Sequence, residues 1–289
     1  MQDKVKLAAV QIDPRITANG ENLEKIIAKA RIAASNGANL IVFPECALTG
    51  YVFSSREEAR PYMETIPGLS TNRLSAACHE LGIYLVFGLL EKEGTGCFNS
   101  AALIGPEGLI GRYRKNHLPF LGIDRFLDSG NEPFRVYETT IGRIGLFICY
   151  DCTFPESSRV MALSGADILA LPTNWPEGRG IVPRHVIIVR AFENKVHLIA
   201  ADRVGSERGT RFIGTSKIIN AWGETLAEAS SDKEEIIYGE VNLSDARQKH
   251  IIFKAGEFEA DFINDRKPAF YGKITDSKKF AFGEREGFS

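Results

Sequence analysis

The stretch Arg143-Ile144-Gly145-Leu146-Phe147-Ile148-Cys149-Tyr150-Asp151 decides how the rest of the chain is read. Residues 143–148 are a short apolar run of the kind that forms a strand covered on both faces. The run ends at a cysteine. Phe154-Pro155-Glu156 then opens a helix, with proline at the first helical position, where a missing N–H costs nothing. Strand, sharp turn and helix is how α/β enzymes present a reactive side chain at the carboxyl edge of a sheet. The positive end of the following helix favours thiolate over thiol at Cys149. A cysteine nucleophile also needs a base and an oxyanion stabiliser from elsewhere in the chain.

Working outward, the same alternation recurs. Residues 5–11, 39–43, 83–90, 98–105 and 109–115 read as strands, and 21–35 and 71–81 as helices. Pro106-Glu107-Gly108 between two of these strands predicts an antiparallel hairpin. The second half repeats the order, with strands at 134–138, 143–149, 167–172, 197–202, 212–219 and 235–241 and helices at 155–164 and 184–195. Helices alternating with buried strands place the chain in the α/β class. The mixture of crossovers and hairpins argues against a plain doubly wound sheet. The expected division is a main domain over 1–242 and an extension over 243–289. The extension is richer in charge and aromatics, lacks a clear strand pattern and reads as an arm that packs on a partner subunit.

Composition excludes several classes. The chain has 289 residues, 44% of them hydrophobic, enough to bury a large core. A net charge of −2 and the lack of a basic stripe exclude nucleic acid as an expected partner. No apolar run approaches the ~18 residues of a membrane span, so no membrane partner is expected. The start, Met1-Gln2-Asp3-Lys4, has no signal-peptide layout. Five cysteines, an odd number, argue against a disulfide framework and for a reducing cytoplasm.

Three strands end in chemistry-bearing residues: Glu45 after Pro44, Cys149, and Asn174-Trp175 after Pro172-Thr173. Carboxyl ends of strands line the ligand crevice of an α/β sheet. Glu45 is the base candidate, because partial desolvation past an apolar strand raises a carboxyl pKa toward a useful value; the alternative is a surface loop glutamate. Lys115 closes Gly111-Arg112-Tyr113-Arg114-Lys115. On a strand, Tyr113 and Lys115 share one face and the two arginines the other. Lys115 is then either an oxyanion stabiliser or part of a solvated basic run. Asp124 is a second crevice carboxylate or a surface residue paired with Arg125. Cys149 and Cys152 also match C-x-x-C, a redox pair or half of a zinc site, but no second pair and no histidine pair accompanies them, so Cys152 reads as packing and no metal is expected. His117, His185 and His197 are not spaced as a metal set.

Taken in order, three motifs resemble those of the nitrilase superfamily of carbon–nitrogen hydrolases: FPECALTGY at 43–51, GRYRKNHLP at 111–119 and GLFICYDCTFPE at 145–156. The resemblance covers about residues 4–242, supported by LALPTNWP at 169–176 and RAFENKVHLIAADRVG at 190–205. It implies a four-layer α-β-β-α sandwich assembled as a homodimer or higher homo-oligomer, and cofactor-free chemistry. By position it makes Glu45 the general base, Cys149 the nucleophile, Lys115 the cationic oxyanion stabiliser and the Tyr150 backbone N–H the second oxyanion donor. Asp124 falls where relatives often carry a second glutamate, and Asp202 where many carry asparagine. Tyr51, Phe120 and Trp175 would wall the pocket, with Asp124 and Asn174 as polar contacts. The implied reaction is hydrolysis of a small amide or N-carbamoyl compound with release of ammonia. Nitrile hydrolysis, acyl transfer and a silent binding role are the alternatives, and the intact Glu45–Lys115–Cys149 set argues against the last.

Overall fold

The computed structural model describes residues 3–276. Its larger unit, up to Gln248, is built on two six-stranded sheets. The first holds β1 (Lys4–Gln11), β2 (Leu40–Val42), β3 (Tyr84–Glu93), β4 (Gly96–Gly105) and β5 (Gly108–Arg114). The second holds β6 (Val136–Thr139), β7 (Gly142–Leu146), β8 (Ile168–Thr173), β9 (His197–Asp202), β10 (Lys217–Ile219) and β11 (Thr225–Glu228). β12 (Glu235–Asn242) returns to the first sheet and pairs antiparallel with β1 along its whole length. The orders are β12-β1-β2-β3-β4-β5 and β11-β10-β9-β8-β7-β6. In each sheet three strands are parallel, β1-β2-β3 and β7-β8-β9, and antiparallel strands flank them.

Strand periodicity dictates the layers. In β1, Val5, Leu7 and Ala9 join the core between the sheets, while Ala8 and Val10 join a second core under α1 (Asn19–Ser35) and α2 (Leu69–Leu81). The first helix contributes Leu23, Ile26, Ala30 and Ala33 to that core, a helical stripe. On the second sheet, α3 (Pro155–Leu163) and α4 (Ile187–Asn194) contribute Met161, Ala162, Ile187 and Ala191. The layers are therefore helix, sheet, sheet, helix. Pro155 stands at the first position of α3, as its sequence predicts.

Three expectations need correction. The strand read at 212–219 is ordered as β10 only from Lys217, because Gly214 and Thr215 adopt left-handed backbone at φ 58° and 60° and break the pleat. The strand read at 143–149 ends at Leu146, and Cys149 itself sits on a tight turn, Cys149–Thr153. Residues 243–276 are more regular than read. They carry a short helix, Leu243–Arg247, and the second unit, from Lys249, holds an antiparallel pair, His250–Lys254 with Phe258–Asp261, in which Phe253 stacks on Phe258 at 4.3 Å. The rest of the expected extension, 277–289, lies outside the described residues.

Candidate active site

Candidate side chains Glu45, Cys149 and Asn174 follow three of the parallel strands, and Lys115 follows the antiparallel edge strand β5. After β2, Phe43-Pro44 leads into Glu45, which is fully buried. The Phe43 N–H donates to Val86 O at 2.8 Å, and Gly88 N–H donates to Pro44 O at 3.1 Å, so β3 fixes the turn. Lys115 follows β5 and is also fully buried, its N–H donating to Asn99 O at 2.8 Å. The alternation read from sequence holds here: Tyr113 and Lys115 point inward, while Arg112 and Arg114 both pair with Glu91 on the other face.

The Lys115 ammonium donates to Glu45 Oε1 and to Asp124 Oδ2, each at 2.6 Å. Asn99 Nδ2 bridges the same two carboxylates at 2.7 and 2.9 Å, and the Tyr51 hydroxyl donates to Asp124 Oδ2 at 2.9 Å. Asp124 is 2% exposed, not a surface residue, and Arg125 turns away to Gly122 O. Burial works against the Lys115 charge, but Asp124 and Glu45 override it and hold the ammonium well above the usual lysine range. Burial raises the Glu45 carboxyl; Lys115 opposes this and Asp124 reinforces it.

Cys149 occupies left-handed backbone, φ 44°, directly after extended Ile148 at φ −125°. A non-glycine residue held there is strained, a feature that collects at functional sites. The thiol contradicts the expectation of a thiolate favoured by the next helix. Burial pushes it well above the ordinary cysteine range and the Glu45 charge adds to this. Lys115, the Thr173 side chain and the Asn174 N–H offset it only in part. The balance favours the protonated form of the Cys149 thiol.

Asn174 and Trp175, at the end of β8, are 0% and 2% exposed. The Trp175 N–H donates to Asp202 Oδ1 at 2.8 Å, which gives Asp202 a task that its sequence position does not reveal. Glu45 Oε2, both amide atoms of Asn174 and Asp202 Oδ2 are among the buried polar atoms at these strand ends that lack a hydrogen-bond partner among the described residues. Such atoms are costly unless a ligand meets them. Phe120 is not part of this group. It is 76% exposed, with the Arg125 guanidinium over its ring at 5.8 Å. Tyr150 lies on the turn after Cys149 with its ring edge-on to Phe154. Among the described residues no group of acidic, histidine and cysteine side chains has the makings of a metal site, and all five cysteines are free thiols. Sequence reading missed Asn99. It stands beside Ser100 in the strand of residues 98–105, where nothing local marks it out.

The sequence profile of the carbon-nitrogen hydrolase family matches residues 6–250. The chain belongs to this family. A curated relative from Pyrococcus abyssi, named a nitrilase, is 40% identical over 270 residues, 92% of this chain and 99% of that one. The omega-amidase NIT2 of Homo sapiens is 30% identical over 279 residues, 91% and 99% of the two chains. A Nesterenkonia AN1 amidase of the nitrilase superfamily superposes with a TM-score of 0.74 at 26% identity, over 86% of this chain and 95% of its own. A further structure of that amidase carries the acetamide moiety of fluoroacetamide added covalently at its active site cysteine. The present carbon-nitrogen hydrolase is thus a nitrilase-superfamily enzyme of the amidase-like branch, a hydrolase of C–N bonds other than peptide bonds. No helix among its described residues is long and apolar enough to cross a membrane.

Proposed function

We propose that this hydrolase cleaves a small amide or N-carbamoyl compound, releases ammonia and passes through a thioester on Cys149. The observation that carries the reading is the buried cluster of Glu45, Lys115 and Asp124, two of which, Glu45 and Lys115, act by their charges on the Cys149 thiol. Glu45 takes the thiol proton as the sulfur attacks the carbonyl carbon. The oxyanion is held by the Lys115 ammonium and by the Tyr150 N–H, one of the first donors of a helical turn, which have no acceptor within it. Glu45 returns the proton to the departing ammonia. It then activates water, which cleaves the thioester and restores the thiol. Asp124 and Asn99 keep Lys115 and Glu45 in place through both steps. Lys115 keeps its charge because two carboxylates face it.

The free amide of Asn174 offers one donor and one acceptor, the complement of a primary amide or a urea. Trp175 and Tyr51 supply the apolar wall. The name of the Pyrococcus relative favours a second reading, nitrile hydrolysis, on the same nucleophile. Acyl transfer to an amine would share the thioester, and added hydroxylamine separates it from hydrolysis by diverting product to a hydroxamate. Five free thiols fit a reducing cytoplasm. We further propose a homo-oligomer, in which the described part of the extension, residues 243–276, packs on a partner subunit. Exposed Val160, Leu163 and Val189 on α3 and α4 support the assembly.

Cys149→Ala and Glu45→Gln test the roles. Each is expected to lower amide turnover by about 10³-fold or more with an unchanged circular dichroism spectrum. Near-normal turnover in either folded variant removes that residue from the mechanism.

A further inference from the structure

The residue two positions after the nucleophile has a use that the reaction scheme leaves unassigned. Asp151 is fully buried, and its carboxylate accepts four hydrogen bonds. Oδ2 accepts from the Tyr113 hydroxyl at 2.9 Å and from the Ile148 N–H at 2.9 Å. Oδ1 accepts from the His117 N–H at 3.1 Å and from His117 Nδ1 at 2.7 Å. A carboxylate accepts only, so His117 Nδ1 donates to it.

The arrangement of these donors is informative. Ile148 precedes Cys149 at the end of the β7 segment, in the second sheet. Tyr113 and His117 lie two residues before and two residues after Lys115, which follows the edge strand of the first sheet. One carboxylate therefore holds the nucleophile's turn and both flanks of the lysine. The strap is itself braced. His117 stacks on Phe154 at 3.9 Å, Tyr113 stacks on Phe134 at 5.3 Å, and the Tyr113 oxygen accepts from the Asn116 N–H at 3.1 Å. Packing between the sheets is apolar and nondirectional, so it does not set the ammonium-to-sulfur geometry by itself. A fourfold-bonded buried carboxylate does, because charge-assisted hydrogen bonds are short and directional.

We propose that Asp151 is a positioning residue that sets the placement of the Lys115 ammonium relative to the Cys149 sulfur, acting through Tyr113 and His117. The proposal rests on the roles assigned to Lys115 and Cys149 above. Loosening the strap moves the ammonium away from the sulfur. The thiolate loses a stabilising charge, and the oxyanion loses a donor at the moment it forms.

The test uses the full chain with Tyr113→Phe, His117→Leu, His117→Asn and Asp151→Asn. Two quantities are read beside the melting temperature: the pH profile of Cys149 alkylation by iodoacetamide, located by mass spectrometry, and kcat and KM for ammonia release from propionamide or, if that is inert, from the best substrate of a panel. Tyr113→Phe and His117→Leu are expected to shift the alkylation profile to higher pH and to lower kcat about tenfold, with KM within about twofold. His117→Asn puts an amide N–H where Nδ1 donates and should recover kcat to within about threefold of the native enzyme. Asp151→Asn replaces an acceptor by a donor and should cost about 10²-fold. If Asp151→Asn does not fold, the Tyr113 and His117 variants, which leave the carboxylate in place, carry the test. An unshifted alkylation profile with unchanged kcat overturns the proposal, even if the melting temperature falls. So does His117→Asn behaving like His117→Leu. Full turnover by Cys149→Ala would instead remove the reading on which the proposal rests.

Discussion

Burial acts in the same direction on three groups at the strand ends. It raises the Glu45 carboxyl, the Cys149 thiol and the Asp202 carboxyl. For Glu45 this is useful chemistry, since a base with a raised pKa holds a proton well enough to return it to a leaving amine. The acid limb of kcat/KM is accordingly expected above the ordinary glutamate value of 4.5, and a limb at or below it would contradict the assignment. Asp202 has a consequence for stability with a definite sign. Folded, it keeps a proton that the unfolded chain releases around its ordinary value of 3.8, so it takes stability away as pH rises above that value toward the raised folded pKa. Asp202→Asn keeps an acceptor for the Trp175 N–H and removes the titration. Thermal unfolding should show the variant gaining on the native protein between about pH 4 and pH 7; a pH-independent difference would refute this. At this scale Glu45 and Cys149 were legible as candidates because each follows a short apolar strand, whereas Lys115 closes a strand that carries two arginines and was singled out by the motif resemblance. Asp124 was legible only as a candidate, since a loop residue's burial depends on how the loop lies against Tyr51 and Lys115. Asn99 was invisible because nothing local distinguishes a strand amide that braces two carboxylates from one that does not.

The elements reach the site through close backbone contacts, and one of them is marked by a glycine. Gly88 lies on β3 under the Glu45 turn. A Cβ there would stand 2.4 Å from the Cys46 nitrogen and 2.6 Å from the Glu45 Cα. Neither backbone atom can swing aside as a side chain would. Gly88→Ala should therefore displace Glu45, lowering stability by about 1–3 kcal/mol and kcat by about tenfold or more. Denaturant unfolding and amide turnover measure the two effects, and an alanine variant with native values in both would refute the contact. Apolar periodicity made the parallel strands and their helices readable, because both faces of each strand are covered. It failed at 212–216, where left-handed Gly214 and Thr215 separate Phe212-Ile213 from the strand that starts at Lys217, and at the start of α4, where a wide turn over Val182–Val186 precedes the regular helix.

In the whole molecule two similar half-chains each supply three parallel strands, and their carboxyl ends bring Glu45 from one sheet to Cys149 and Asn174 from the other. β12 was foreseeable only as a strand, because its pairing with β1 across more than 200 residues leaves no mark in local sequence, and β11 was not read as a strand at all. The outer helices leave Val160 and Val189 at 43% and 46% exposure, which the proposed assembly would cover. Val160→Glu with Val189→Glu is expected to reduce the solution mass toward the 31.9 kDa of one chain, measured by light scattering; an unchanged mass would place the interface elsewhere. The central claim is that Cys149 breaks a non-peptide C–N bond of a small amide or carbamoyl compound. Ammonia release from propionamide, an N-carbamoyl amine and a short nitrile, by the native chain and by Cys149→Ala side by side, tests it most directly. Release from the amide or the carbamoyl compound that vanishes in Cys149→Ala is the expected result. Release that survives the substitution, or release from the nitrile alone, would contradict it.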